Sequence, residues 1–158
     1  MRTTDSLRAH LVRLLDSQDA HVGFDKAIEG IPPEARGVAP DGVPNSPWQL
    51  LEHIRIAQHD ILDFCRNPAY VELTWPDDYW PASAAPPDEP AWDESVARVR
   101  ADREALKQLA QDPAVDLFAA VPHGTGQTCL RELLLVADHT AYHVGQLVLV
   151  RRLLGVWP

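Results

Sequence analysis

Asp138-His139-Thr140-Ala141-Tyr142-His143-Val144-Gly145-Gln146 lies inside a proline-free apolar segment that runs from Leu130 to Leu154. Between Glu132 and Arg151 the only charge in that segment is Asp138. Its length and apolarity predict a helix rather than a strand. On a helix, His139 and His143 share one face, separated by about 40° around the axis and about 6 Å along it. Two imidazoles at that spacing suit one metal ion. A transition metal takes three or four donors, so another element must supply at least one more.

Working outward, Thr128 is placed to cap this last helix, and His123-Gly124-Thr125-Gly126-Gln127 reads as the turn before it. A helix from about Pro90 to Gln111 carries Trp92, Val96, Val99, Leu106 and Ala110 in register. Arg103 interrupts that stripe and can lay its aliphatic stem along it. Ser46-Pro47-Trp48-Gln49 is a strong helix start: Ser46 caps, Pro47 takes the first position and Gln49 completes a capping box. The helix it opens is expected to reach about Cys65, with Leu50, Ile54, Ala57, Ile61 and Phe64 inward. Glu52, Arg55, His59, Asp63 and Arg66 are expected on the outer side, and His53 on the inner one.

The N-terminal helix, capped by Thr4 or Asp5, carries Leu7, Leu11, Leu14 and Leu15 and ends near Gln18. Asp19 reads as the cap of a short continuation with His21, Phe24 and Ile28, stopped by Gly30-Ile31-Pro32-Pro33. From there to Asn45, and again over residues 67–90, proline-rich stretches read as loops. No segment alternates with period two and no repeat is visible. Four main helices with long connecting loops predict an all-α protein, a four-helix bundle, in one domain over residues 1–158.

Composition bounds the function. There are 23 Asp and Glu against 14 Lys and Arg, a formal net charge of -9, and no basic stripe. That argues against nucleic acid or an anionic membrane as a partner. The N-terminal residues lead into an amphipathic helix, so no signal peptide is expected, and Asp138, His139, Thr140 and His143 break the last helix as a membrane span. Two cysteines, Cys65 and Cys129, are too few for a disulfide framework and fit a reducing cytoplasm. The last helix is apolar nearly all round, with Leu133, Ala137, Ala141, Val144 and Val148 on one stripe and Val136, Tyr142, Leu147 and Val150 on others. It must be central in the bundle or pack its outer face on a second copy, which predicts a homodimer.

The favoured site is His53, His139 and His143, three neutral nitrogens suited to Zn²⁺, Ni²⁺ or Fe²⁺ with positions left open for water or substrate. Gln146 shares the face of His139 and His143 and can orient a ligand, while Gly145 allows a close helix approach on the adjacent side. Alone, the His139–His143 spacing is as often a pair of satisfied buried histidines as a metal site. Thr140 where a metalloprotease has Glu excludes H-E-x-x-H, and no Glu stands three residues before any His, which excludes the ferritin-like pair. His10 and His21 read as packing or surface residues, His123 as part of a turn. Cys129 opens a helix whose dipole can lower its pKa, with a buried structural thiol as the simpler reading. The aromatics of Thr74-Trp75-Pro76-Asp77-Asp78-Tyr79-Trp80-Pro81 read first as a cover for the open end of the bundle and second as the wall of a substrate pocket.

Pro47-Trp48-Gln49-Leu50-Leu51-Glu52-His53 and, more specifically, Asp138 to Gln146 make the chain resemble the DinB-like (DinB/YfiT) metalloenzyme superfamily over nearly its whole length. The resemblance implies a four-helix bundle, often a homodimer, with one divalent metal held by His53, His139 and His143. It also implies a candidate chemistry, since some relatives are S-transferases or isomerases that use a low-molecular-weight thiol as cosubstrate. The expectation is thus a cytoplasmic metal-dependent transferase acting on a small-molecule substrate. Metal-dependent hydrolysis is the alternative, and a non-catalytic dimeric module with a structural metal is a third reading.

Overall fold

A computed structural model describes residues 3–16 and 19–158. Five helices are present: α1 (Thr3–Asp16), α2 (Phe24–Ile28), α3 (Pro47–Arg66), α4 (Ala91–Gln111) and α5 (Cys129–Leu153). Single 3-10 turns at Pro33–Ala35 and Asp77–Tyr79 interrupt the long connections, and no strand occurs among the described residues. The protein is all-α. α3 packs on both α4 and α5, α1 packs on the same two helices, and the short α2 lies against α5.

Local chemistry sets the principal boundaries. Ser46 accepts from the Gln49 backbone N–H at 3.2 Å, the Gln49 side chain accepts from the Ser46 N–H at 3.0 Å, and Pro47 stands at the first helical position. Thr128 likewise caps α5 by accepting from the Arg131 N–H. At the far end of α4, the Arg8 guanidinium from α1 collects the carbonyls of Ala110, Asp112 and Val115. Such carbonyls have no partner within the helix, so a cation from a neighbour both caps α4 and docks α1. Arg151, 1% exposed, does the same for α2 by donating to the carbonyls of Ala27 and Glu29.

The apolar interior is in two parts. One joins α2 to the first half of α3, the start of α4 and the last half of α5 through Phe24, Leu51, Ile54, Trp92, Val99, Val144 and Leu147. The other joins α1 to the opposite ends of the same helices through Leu11, Leu62, Leu106, Leu133 and Val136. On α5 the break between them falls where His139 and His143 sit.

Several expectations are corrected. α1 already includes Thr3, so neither Thr4 nor Asp5 is its cap; its expected end at Gln18 lies outside the described residues. Asp19 caps nothing: Gly23 precedes α2, and Asp19 bonds Arg13 instead. Leu14 is exposed. Glu52, expected outside, is buried against α4, where Ser95 donates to it and Arg55 pairs with it at 2.8 Å. Hydrogen bonds from both hold its carboxyl below the usual range although burial pushes it up. Among the described residues no other element lies within 4 Å of where a Cβ on Gly145 would stand, so none of them packs closely there. Of the two placements left open for α5, full cover within the chain is not the one found: Leu134, Tyr142, Leu149 and Leu153 are exposed along one stripe.

Ser46 also donates to the Ala84 carbonyl and is fully buried, so Ser46→Ala removes a cap and a tie to the following loop together. A loss of about 1–2 kcal/mol in urea unfolding is expected. Asp19→Ala, which removes no cap, is expected to change stability by less than about 0.5 kcal/mol.

Candidate metal centre

His53 faces α5 from the second turn of α3, and His139 and His143 face it from the middle of α5. His53 is 2% exposed and His143 7%. Their donor atoms all lie within 4.8 Å of one another. Nδ1 of His53 lies 2.8 Å from the Tyr79 carbonyl oxygen, which can only accept. That nitrogen therefore carries the hydrogen, and Nε2 presents its lone pair. Nδ1 of His143 is fixed in the same way by the side-chain oxygen of Gln146 at 2.7 Å, as its spacing predicts. Trp80 stacks flat on His53, with ring centroids 3.8 Å apart and planes 2° from parallel.

Nε2 of His53 faces Nε2 of His139 at 3.0 Å. Two lone pairs that close repel unless a proton or a cation lies between them. Metal–nitrogen bonds of 2.0–2.1 Å in tetrahedral geometry place donors about 3.4 Å apart, a separation within the range this cluster spans. Burial lowers the pKa of all three rings. His139 is pulled down to about 3, by burial first and then by His143 and His53. Neutral imidazoles are the form that ligates. The residues thus fit a divalent ion, and no fourth His, Cys, Asp or Glu joins the group among the described residues.

The cluster opens into a cavity of about 580 Å³. α3 lines it with His53, Ala57, Asp60, Ile61 and Phe64, and α5 with Arg131, Glu132, Leu135 and His139. Ile61 and Phe64, expected in the core, are half-buried because this cavity lies beside them. The loop after α3 forms the far wall with Tyr70, Glu72, Trp75 and Tyr79. The aromatic run is therefore a cavity wall rather than a mere end cover. Asp60 ties that wall down: its two oxygens accept from the hydroxyls of Tyr70 at 2.9 Å and Tyr79 at 2.7 Å. Sequence reasoning passed over Asp60 and Tyr70. The signal for Asp60 is its seven-residue spacing from His53, two turns along one face of α3.

The remaining histidines stay apart from the cluster. His59 is outside, 3.0 Å from Asp102. His10 and His21 are exposed, and His123 reaches the Phe64 carbonyl from the edge of the cavity. The Cys129 pKa is raised, not lowered, by burial first and by the Glu132 carboxylate as well.

His139→Ala and His143→Ala are each expected to abolish stoichiometric metal binding, while His59→Ala leaves it intact. Elemental analysis of untagged variants checks this, and equal metal in His139→Ala and the parent protein would refute the site. Removing the metal from the parent should lower its Tm, because an ion held mainly by the folded state stabilises it.

No curated protein and no solved structure matches the chain. A family profile does, described as the DinB superfamily and covering residues 6–147. That span takes in the whole cavity and all three histidines, and by it the chain belongs to the DinB superfamily.

Proposed function

We propose that the protein holds one divalent transition-metal ion, Zn²⁺, Ni²⁺ or Fe²⁺, at His53, His139 and His143 and is a metal-dependent enzyme. The reaction we assign is transfer of a low-molecular-weight thiol onto a small electrophile. The observation that carries this is a buried three-histidine cluster, with no fourth protein donor among the described residues, opening into a cavity of about 580 Å³. An open position supports catalysis over a structural metal. When bound, the ion supplies positive charge that lowers the pKa of a thiol beside it. The chain's own residues do the positioning. Tyr79 and Gln146 keep lone pairs directed inward, Trp80 holds the His53 ring, and Trp75 and Tyr79 shield one side of the cavity from water. In the transfer itself, the thiol gives up its proton to solvent, the sulfur lone pair forms a bond to the electrophilic carbon, and the bond from that carbon to the leaving group breaks, its electron pair departing with the leaving group.

In the same reading the four long helices form a four-helix bundle and residues 1–158 act as one domain. The protein works in the cytoplasm on a small molecule, without nucleic acid or membrane as partner. The net charge of -9 and the two free cysteines support this. α5 is long and apolar enough to cross a membrane by composition, and its packing on the other helices supports a core helix instead.

With cobalt in place of the native ion, a bound thiolate adds an absorption band from sulfur-to-metal charge transfer. That band is expected with a cellular low-molecular-weight thiol and absent in His53→Ala. No band and no binding heat across a panel of such thiols would remove the transferase reading and leave the hydrolase or the structural module.

The assembly we assign is a homodimer through the exposed stripe Leu134, Tyr142, Leu149 and Leu153, with Gly145 on the same face. Apolar side chains repeated along one face gain from mutual burial, and Gly145 admits a close backbone approach. Sedimentation at micromolar concentration should give the dimer mass for the parent protein and the monomer mass for Leu149→Glu. A monomeric parent would refute the interface.

A further inference from the structure

The cavity has a second polar end. Asp60 stands seven residues beyond His53 on α3, about 10 Å along the helix axis. Its only partners are the two phenols, both neutral donors, and neither it nor Glu72 has an ion pair among the described residues. The one guanidinium lining the cavity, on Arg131, is engaged at 2.6 Å by Glu132. A carboxylate accepts about four hydrogen bonds, and Asp60 receives two from its tyrosines. The rings of Phe64, Tyr70, Trp75 and Tyr79 line the same cavity. Aromatic faces attract cations, and a carboxylate repels an anion at the same place.

We propose that the Asp60 end of the cavity is a subsite for a protonated amine, so that the substrate carries an ammonium group about 10 Å from the atom that reacts at the histidine end. This deepens the functional reading above, since it takes the cavity as the substrate's. It does not depend on that substrate being a thiol. Tyr70 and Tyr79 hold the carboxylate in place, and Asp60 supplies the charge that selects. A substrate ending in carboxylate or phosphate is disfavoured there, because Asp60 and Glu72 oppose it and Arg131 is already paired.

The test compares two probes of one size and shape, phenethylamine and 2-phenylethanol, by calorimetry on the full-length protein as purified at pH 7.5. The amine is expected to bind at least tenfold more tightly than the alcohol, with the advantage shrinking as salt rises. Asp60→Asn should reduce the preference to less than twofold. Tyr70→Phe, which keeps the charge and one phenol, should retain most of it, as should Glu72→Gln. Equal binding of the two probes to the parent protein overturns the proposal whether or not any variant folds. So does an amine preference that survives in Asp60→Asn, or one abolished by Glu72→Gln instead. The outcomes separate from those of the cobalt experiment. Amine preference without thiol binding removes the transferase and keeps the subsite, whereas thiol binding without amine preference does the reverse.

Discussion

Three imidazoles pointing at one place inside an apolar interior is the constraint on which the rest of this structure depends. Burial pushes each ring toward its neutral form, and for His139 the neighbouring rings push further the same way. Neutral rings with converging lone pairs are not self-organising. Each has two tautomers, and the wrong one would turn an N–H into the centre. The Tyr79 carbonyl and the Gln146 amide remove that freedom at His53 and His143. The two apolar clusters on either side then fix the distance between α3 and α5, so that the polar break between them occurs at one level of the bundle only.

Because one of those orienting groups belongs to the loop between α3 and α4, the loop is part of the centre. Tyr79 holds it at two points, through its carbonyl to His53 and its hydroxyl to Asp60, and Trp80 adds the stacked ring. The division of labour is physical. Helices, whose backbone hydrogen bonds are internal, supply the donors that must not move. The loop supplies the wall, where sequence can change without disturbing the helices. Asp60 is the point where the two meet, a helical residue that anchors loop tyrosines.

What the sequence disclosed was local. The capping box at Ser46 and the shared face of His139, His143 and Gln146 depend on residues within seven positions of one another, the extent of α4 on a stripe within that one helix, and each is found as read. What it hid was non-local. Glu52 looks like a surface carboxylate until Ser95, 43 residues away, is seen to meet it. The loop aromatics look like a cover until Asp60, two turns along α3 from His53, draws Tyr70 and Tyr79 to one side. Gly145 looks like a helix-packing site, but none of the described residues comes near it. Periodicity tells which face a residue occupies. It does not tell what stands opposite.

The placement of the two cysteines narrows the chemistry from another direction. Cys65 and Cys129 stand near each other where the end of α3 meets the start of α5. Burial pushes both thiols up, and the nearby Glu132 carboxylate adds to the effect. A thiol held protonated is a poor nucleophile. Neither cysteine lines the cavity or joins the histidine cluster. Any thiolate chemistry here must use a sulfur brought in from solution and made anionic inside the cavity. A cation held by the three histidines would favour such an anion at that end, whereas at the other end the Asp60 carboxylate opposes it.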